Sequence, residues 1–407
     1  MSQIGISGLN MAKTSLETAG HNIANAETGG FKKFRVILSD SYSQTGGSHV
    51  QMAGVSVDGQ EQMFSQGMLK STGNSYDMAL SGNGFFVLSD ASGGQKFSRA
   101  GYFHLDKTGR LVDQHGDRVQ GLFGGRPGDL RVGSSFIDGA QTSKAVVTVN
   151  LDNSVSYLAD PGGANRSWES LLSVYDSLGF RHDLFLGFTK KPAPPQTEAV
   201  GEQSDVADLW EMQVDFKGKK LLESPATLSF NPDDGSLNEV SPDPVLLKVE
   251  GKQLGTGAKD LEIALEMTGS TQHAGGFEVT RSQQDGSSFG TLTKVTIADH
   301  GRMEAIYSNG VRKLLGQVAV ANFACEQALQ PVGNTHWQAC QESGDPVLST
   351  SGKGYAGEVH GAMVEQSTVD LADELLNLLV AQRNYQANAR TIKAEEVMNQ
   401  TLLNQQV

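Results

Sequence analysis

Residues 8–26 of the chain read GLNMAKTSLETAGHNIANA, and the apolar residues in this stretch alternate at spacings of three and four. That spacing places them on one face of an α-helix, at the a and d positions of a heptad repeat. The predicted seam consists of Leu9, Ala12, Leu16, Ala19, Ile23 and Ala26. Three heptads are too few for a helix that is stable alone in water. The alanines on the seam therefore indicate close packing against a second helix.

The far end of the chain has the pattern of that second helix. Ser367 followed by Asp370 resembles a capping box, and neither proline nor glycine occurs from there to Val407. We expect a helix over residues 371–403, with a length of about 50 Å. Its predicted packing positions follow the heptad spacing and are Leu371, Leu375, Leu378, Tyr385, Ala389 and Ile392.

The second half of this predicted helix is rich in uncharged amides. A polar face of this kind is usually solvated, but it also suits the wall of a narrow, water-filled channel because it offers few charges to a passing chain. The candidate channel-facing residues are Gln386, Asn399, Gln400 and Asn404. Both interpretations stay open at this point.

Between the two predicted helices the hydrophobic period changes from 3.6 to 2. Apolar or alternating runs such as 84–88, 145–151, 210–216 and 317–323 are separated by turn signals such as the Asn-Pro-Asp-Asp-Gly of 231–235. The sequence therefore predicts an α+β, multidomain chain. Long N- and C-terminal helices form a coiled-coil core domain, and nested, discontinuous all-β domains lie between them.

The predicted domains are discontinuous because packing of the two ends makes the chain leave each domain and return to it. A chain of 407 residues also exceeds the size of one compact core. We expect a helical core domain of 1–30 with 365–407, an irregular connecting segment of 31–75, an inner β-domain of 76–145 with 288–364, and an outer β-domain of 146–287.

Charge and composition exclude several classes of partner. The net charge of −14 argues against nucleic acid and against anionic membranes. No apolar run is long enough to span a bilayer, and the first twenty residues lack the apolar core of a secretory signal. We therefore expect no membrane insertion and no cleaved signal peptide, which fits a cytoplasmic protein or export by another route. A disulfide between Cys325 and Cys340 stays open.

The pattern of reactive residues is not that of an enzyme. The nine histidines are scattered, and no pair has the HxxxH or HExxH spacing of a helical metal site. Isolated serine, histidine and aspartate residues do not indicate a catalytic triad without a supporting geometry. We expect no catalytic residue, no cofactor and no bound metal.

Three stretches carry a recognisable signature. They read NIANAETGGFK at 22–32, SGNGFFVL at 81–88 with FSRAGYF at 97–103, and VAQRNYQAN at 380–388. Together they resemble the flagellar axial proteins, the family of rod, hook and hook-associated subunits. The terminal residues that carry the match are Asn22, Ile23, Ala24, Asn25, Gly30, Phe31, Gln382, Arg383, Tyr385 and Asn388.

The middle of the chain is similar to the hook members of this family rather than to the rod members. The motif VYDSLG at 174–179 resembles an element of their outer domain, and LGQVAVANF at 315–323 resembles the return path through their inner β-domain. A rod subunit would lack room for residues 146–287.

The resemblance implies a structural subunit of the hook, which polymerises with itself into a curved, flexible tube with a central export channel. Such a tube passes motor torque to the filament as a universal joint. Implied partners are the distal rod, the hook cap, the hook–filament junction proteins and the flagellar type III export apparatus. The implied location is outside the cell, after export without a cleaved signal peptide. The alternatives are a distal rod or hook-associated subunit and a β-rich surface adhesin.

Overall fold

The computed structural model describes residues 2–44, 50–154, 168–191 and 208–404. The chain divides into two compact units. The first unit consists of Met1–Gly133, Lys294–Ile306 and Arg312–Val407, and the second unit consists of Ser134–Thr293 and Tyr307–Val311.

Helices occupy mainly the two ends of the chain. They are α1 (Ser2–Ala24), α2 (Gly251–Leu254) and α3 (Leu371–Asn404), with short 3₁₀ turns at Asp299–Gly301 and Glu326–Ala328. In the described ranges, no helix has both the length and the apolar character that crossing a bilayer requires.

Strands fill the region between α1 and α3. The first fifteen are β1 (Phe34–Gln44), β2 (Val50–Gln62), β3 (Leu69–Ser71), β4 (Met78–Ser81), β5 (Phe85–Ser89), β6 (Gln95–Ser98), β7 (Phe103–Leu105), β8 (Leu111–Asp113), β9 (Arg118–Phe123), β10 (Arg126–Asp129), β11 (Phe136–Ile137), β12 (Lys144–Asp152), β13 (Trp168–Tyr175), β14 (Arg181–Lys191) and β15 (Asp208–Phe216). The others are β16 (Lys219–Lys220), β17 (Ala226–Phe230), β18 (Leu237–Ser241), β19 (Val245–Val249), β20 (Leu261–Glu266), β21 (Thr271–His273), β22 (Glu278–Gln284), β23 (Gly290–Ala298), β24 (Arg302–Tyr307), β25 (Arg312–Asn322), β26 (Gln330–Gly333), β27 (His336–Gln338), β28 (Val347–Thr350), β29 (Glu358–Gly361) and β30 (Met363–Glu365). The predicted strands at 84–88, 145–151, 210–216 and 317–323 are confirmed.

Two sheets form the second unit. One has the order β19-β20-β12-β21 with β22 also on β12, and the other has the order β13-β14-β15-β17-β18 with β16 beside β15. Along β12 and β14 every second side chain is buried, as the period of 2 predicts. The buried faces of both sheets share one hydrophobic cluster, which includes Leu151, Phe188 and Trp210.

The turn after β13 is built around a buried carboxylate. Oδ1 of Asp176 accepts two backbone N–H groups of the turn at 2.9 and 3.0 Å, and its Oδ2 accepts the Thr256 hydroxyl at 2.7 Å. Nε2 of His182 lies 2.9 Å from the same Oδ2. Burial raises the pKa of the Asp176 carboxyl, but the contacts with His182, Thr256 and the backbone outweigh burial and hold that pKa below its usual value. An ionised side chain therefore fixes the VYDSLG motif.

The sheet of the first unit is centred on β25 and β5. Strand β25 pairs with β24, β9, β5 and β28 along its length, and β5 pairs in turn with β6, which leads to β27 and β26. An aromatic cluster covers one face, and the ring centroids of Phe85 and Trp337 lie 5.5 Å apart. Phe97 and Phe323 pack edge to face beside them, with centroids 4.8 Å apart. These aromatic contacts hold the predicted strands of the inner region together.

The expectation of an irregular segment over 31–75 is wrong. β1 and β2 form a long antiparallel hairpin, and β3 pairs with β30. The hairpin register shifts between Ile37 and Leu38 and again between Ser41 and Tyr42. The first shift reverses which side chains face inward, so the alternation that would have revealed the strand is interrupted.

The ends of the two long helices differ in detail from their predicted ends. α1 stops at Ala24, so Ala26 lies in the following turn and not on the helix. α3 confirms the helix expected over 371–403. Its N-terminal cap is Asp370, whose Oδ1 accepts the backbone N–H of Ala372 at 2.8 Å. Ser367 is not part of a capping box.

The second unit contains the whole of the predicted outer domain, 146–287, and extends it to Ser134 and Thr293. The division of the first unit into a helical core domain and an inner β-domain stays a prediction. Both cysteines are free thiols, with Cys325 exposed and Cys340 half-buried.

Candidate functional site

Helices α1 and α3 contact each other directly, and glycines allow the contact. A Cβ atom added to Gly5 would lie 2.7 Å from Cγ1 of Ile392, and one added to Gly8 would lie 2.6 Å from Oδ1 of Asn388. Ala12, further along α1, is fully buried. Because residue 5 meets 392 and residue 8 meets 388, the two helices run antiparallel. The helices thus pack closely at small residues, which include two glycines outside the predicted seam.

A second face of α1 lies on the β1–β2 hairpin. The Thr18 hydroxyl accepts a hydrogen bond from the Gln60 side chain at 3.0 Å. Asn22 donates to the carbonyl of Phe34 and accepts its N–H, both at 2.9 Å. The side chain of Asn22 is buried, and only an amide offers a donor and an acceptor in this arrangement. This gives the first asparagine of the NIAN motif a structural role.

The buried face of α3 coincides with the predicted one only in part. Leu371 and Leu375 were expected to pack on α1, but they are 48% and 51% exposed. The buried and half-buried positions of the helix include Glu374, Leu378, Ala381, Asn388, Ala389 and Ile392. The leucines of the first two turns therefore point away from the subunit.

A long apolar surface results on α3. Its members each keep between 43% and 61% of their surface exposed. We call this surface the α3 apolar face, and it consists of Leu371, Leu375, Leu376, Leu379, Val380, Tyr385, Val397 and Met398. Five of them lie within the first three turns of the helix (371–380), and such a concentration of exposed apolar side chains is typical of an interaction site.

The other predicted residues occupy varied environments. Ala19, Gly30 and Phe31 are buried, and Leu9, Leu16, Ile23, Asn25 and Ala26 are half-buried. The exposed ones are Ala24, Gln382, Arg383, Gln386, Asn399 and Gln400. Asn404 is the last residue of α3, and its side chain lies outside the described residues.

A buried ion network joins the α1 end of the chain to the α3 end. Nζ of Lys32 lies 2.7 Å from Oε1 of Glu365, and both side chains are completely buried. Nη1 of Arg99 lies 3.5 Å from the other carboxylate oxygen of Glu365. Lys32 also donates to the carbonyl of Ser65 at 2.6 Å, and Arg99 donates to that of Gly82 at 2.8 Å. We call these three charged residues the junction triad.

The charges of the triad depend on each other. Burial lowers the pKa of Lys32, Glu365 offsets part of that effect, and Arg99 adds to it, so the pKa lies below its usual value. Burial also lowers the pKa of Arg99, again with Glu365 opposing it. Glu365 is thus the main counter-charge of two buried cations, and Glu326 acts on both more weakly. Loss of Glu365 would leave both cations without their hydrogen-bonded carboxylate.

The backbone crosses at the same place. The N–H of Gly30 donates to the carbonyl of Glu365 at 2.8 Å, and the N–H of Thr368 donates to that of Phe31 at 3.1 Å. The hydroxyl of Thr368 accepts the N–H of Lys33 at 2.9 Å. Gly30 has a φ of 73° and lies against the backbone of residue 100, so a side chain there would be strained and blocked. The GGFK motif is therefore the point where the entering and returning chain segments meet.

Three family models match the chain. They are the flagellar basal body protein FlaE D2 domain over residues 148–287, the flagellar hook protein FlgE/F/G D1 domain over 79–156, and the flagellar basal body rod FlgEFG protein C-terminal over 360–405. The flagellar hook protein FlgE of Escherichia coli strain K12 is 32% identical over 98% of both chains. This chain belongs to the flagellar hook protein family.

Other hook proteins agree with this assignment. The FlgE of Salmonella typhimurium is 32% identical and that of Treponema pallidum is 30% identical, each over 98% of both chains. The crystal structure of the Helicobacter pylori flagellar hook protein FlgE2 superposes with a TM-score of 0.56 at 13% identity, over 73% of this chain and 100% of that chain. That likeness supports the fold. The family is one of structural proteins, and this hook protein is a structural subunit of the bacterial flagellum.

Proposed function

We propose that this hook protein polymerises through α1 and α3 into a curved, flexible tube around a central export channel. We further propose that the tube passes motor torque to the filament as a universal joint. The observation that carries the proposal is the α3 apolar face, because a folded subunit that leaves such a surface open is suited to cover it with copies of itself.

Folding of the terminal helices is coupled to assembly in this proposal. α1 contains Gly5, Gly8 and Gly20, which weaken an isolated helix, and its partner α3 keeps most of its large apolar residues exposed. Within the polymer, neighbouring copies cover those residues and complete a coiled coil. Such coupling would keep exported chains from polymerising before they reach the growing tip.

The amide-rich part of α3 has a proposed place in this tube. Gln386, Asn399 and Gln400 are exposed, and we assign them with Asn404 to the channel wall. Their uncharged side chains would let unfolded chains pass without strong electrostatic binding.

The proposed partners follow from the family. Beyond its own copies, the subunit would meet the distal rod, the hook cap, the hook–filament junction proteins and the flagellar type III export apparatus. Its proposed location is the hook outside the cell, reached by export without a cleaved signal peptide.

Electron microscopy of polymers grown from the purified chain tests this function. We expect curved tubes with a central channel. Straight, rigid rods would support a rod subunit instead. A chain that stays monomeric and binds a carbohydrate without its terminal helices would support the adhesin alternative.

The glycines of α1 provide a prediction about the helix contact. Alanine normally stabilises a helix by about 1 kcal/mol relative to glycine. At Gly5 and Gly8 the added Cβ would instead strain the contact with α3, at a cost of about 1–3 kcal/mol. We expect the double variant Gly5→Ala/Gly8→Ala to raise the critical concentration for polymerisation by about tenfold.

Gly20 is the matched control, because it lies on the same helix with no atom within 4 Å of the added Cβ. The variant Gly20→Ala should polymerise at an equal or lower concentration than the unmodified chain. Sedimentation of polymers at a series of concentrations measures all three proteins. Equal behaviour of the two alanine variants would contradict the proposed α1–α3 contact.

A further inference from the structure

The carboxylates of Asp113 and Asp117 and the imidazole of His336 lie together in the first unit, away from the contact between α1 and α3. Asp113 ends β8 and Asp117 follows it across the tight turn that leads to β9. His336 opens β27. Each of the three is at most 6% exposed, and one potential ligand atom from each lies within 4.8 Å of the other two.

The two oxygens of Asp113 have different environments. Its Oδ1 accepts the backbone N–H groups of His115 and Asp117 at 2.9 and 2.8 Å. Its Oδ2 is buried and accepts no hydrogen bond, although Nε2 of His336 lies 2.9 Å away. Nδ1 of the same ring lies 3.5 Å from Oδ2 of Asp117. A buried carboxylate oxygen therefore faces an imidazole nitrogen without an aligned proton between them.

We propose that Asp113, Asp117 and His336 form a binding site for a divalent transition-metal cation of the Zn²⁺ type. Two carboxylates and one imidazole form a donor set that Zn²⁺ accepts. Donor atoms that each lie about 2.1 Å from one cation are about 3.0–3.4 Å apart. Nε2 of His336 and Oδ2 of Asp113 are already at about this separation, and the Asp117 carboxylate, which now lies beside Nδ1 of the ring, would have to rotate toward them. The cation supplies the partner that the buried Oδ2 of Asp113 lacks.

A cation can reach the site and complete its coordination there. Asp113, His115 and His336 line an open cavity of about 770 Å³. The ring centroids of His115 and His336 are 5.7 Å apart, and His115 is exposed. Water or the His115 imidazole can therefore fill the remaining positions. The bound cation would join the β8–β9 turn to β27, beside the cavity wall that Asn25 shares.

Lys96 is the competitor of such a cation. Its Nζ lies 2.7 Å from Oδ2 of Asp117, and its side chain is 30% exposed, so it can move out into solvent. If internal ion pairs alone hold Asp113, Asp117 and His336 together, removal of Lys96 should weaken the cluster. If the three residues bind a cation, removal of Lys96 should strengthen cation binding.

Isothermal titration of the full, chelator-treated monomer with ZnCl₂ tests the proposal. We expect one Zn²⁺ per chain with micromolar affinity. His336→Gln and Asp117→Asn should each weaken binding by about 100-fold. Lys96→Gln should tighten it by about tenfold because a competing charge is removed. His104→Gln is the control, since this exposed histidine lies on the neighbouring strand β7.

Circular dichroism of each variant checks that it is folded, and Asp117→Asn provides the second test if His336→Gln unfolds. A wild-type chain that does not bind Zn²⁺ overturns the proposal. Equal affinities for the wild type and a folded His336→Gln or Asp117→Asn variant overturn it as well. A loss caused by His104→Gln as large as that caused by His336→Gln would also do so.

Discussion

Replacing Leu375, Leu376 and Leu379 together by glutamine is expected to stop polymerisation of the hook protein at concentrations where the unmodified chain assembles. These leucines are 51%, 61% and 49% exposed in the subunit, so about half of each side chain remains to be buried by a neighbour. Half of a leucine contributes about 1 kcal/mol on burial, and three contribute about 3 kcal/mol. The critical concentration should rise by at least about 100-fold.

The control variant replaces two leucines of similar exposure that lie outside α1 and α3. Leu246 and Leu314 are 71% and 57% exposed, and neither lies on a terminal helix. The variant Leu246→Gln/Leu314→Gln should assemble as the unmodified chain does. Light scattering and electron microscopy measure both variants. Normal assembly of the α3 variant, or an equal defect in the control, would show that the α3 apolar face is not the assembly surface.

Substitution of Glu365 by glutamine is expected to destabilise the first unit by about 3–5 kcal/mol, because two buried cations lose their hydrogen-bonded counter-charge and keep only the weaker influence of Glu326. The neutral Glu61→Gln variant is the control. Glu61 pairs with Arg35 at 2.8 Å, but the Arg35 side chain is 60% exposed, so the expected loss is below about 1 kcal/mol. Hydrogen exchange of first-unit peptides at increasing urea concentration measures both losses.

The pH dependence of the Glu365→Gln variant follows from Lys32. The pKa of Lys32 in the folded chain is already below its usual value, and without Glu365 it has one opposing charge fewer. Between that lowered pKa and the unfolded value of about 10.4, the unfolded chain binds more protons, so stability rises with pH. The deficit of the variant should therefore shrink as the pH rises from that lowered pKa toward the unfolded value.

A hydrophobic replacement of the whole triad separates charge balance from packing. The variant Lys32→Met/Arg99→Met/Glu365→Leu removes all three charges, and we expect it to be far less destabilised than Glu365→Gln. If Glu365→Gln proves as stable as Glu61→Gln, the triad does not join the two ends of the chain in the way described.

Much of the fold could be predicted because the relevant signals are local. In β12 the buried positions Val147, Val149 and Leu151 alternate with less buried ones, and this pattern is visible in the sequence. α3 is equally visible, since no glycine or proline interrupts it. The β1–β2 hairpin was missed because its register shifts break the alternation and because it meets α1 partly through the polar residues Thr18 and Asn22.

The heptad pattern of α3 shows which residues are apolar but not which partner covers them. Leu371 and Leu375 satisfy the repeat, yet the subunit buries Glu374 and Ala381 instead. A surface that other copies cover has the same local spacing as one that packs inside the subunit.

The junction triad and the proposed metal site depend on the tertiary fold. Lys32 and Glu365 are 333 residues apart in the sequence, so no periodicity links them. Asp113 and Asp117 are near neighbours, but His336 reaches them only because β27 pairs with β6 in the same sheet as β8 and β9. For that reason, the spacing of the nine histidines did not indicate a metal site.

Hydrogen exchange of the monomer and the polymer, read peptide by peptide with mass spectrometry, tests the central claim most directly. We expect the peptides of α1 and α3 to exchange rapidly in the monomer and to become strongly protected in the polymer. The sheets of the second unit should change much less. Terminal helices that are already fully protected in the monomer, or that gain no protection on polymerisation, would contradict the claim that these helices assemble the tube.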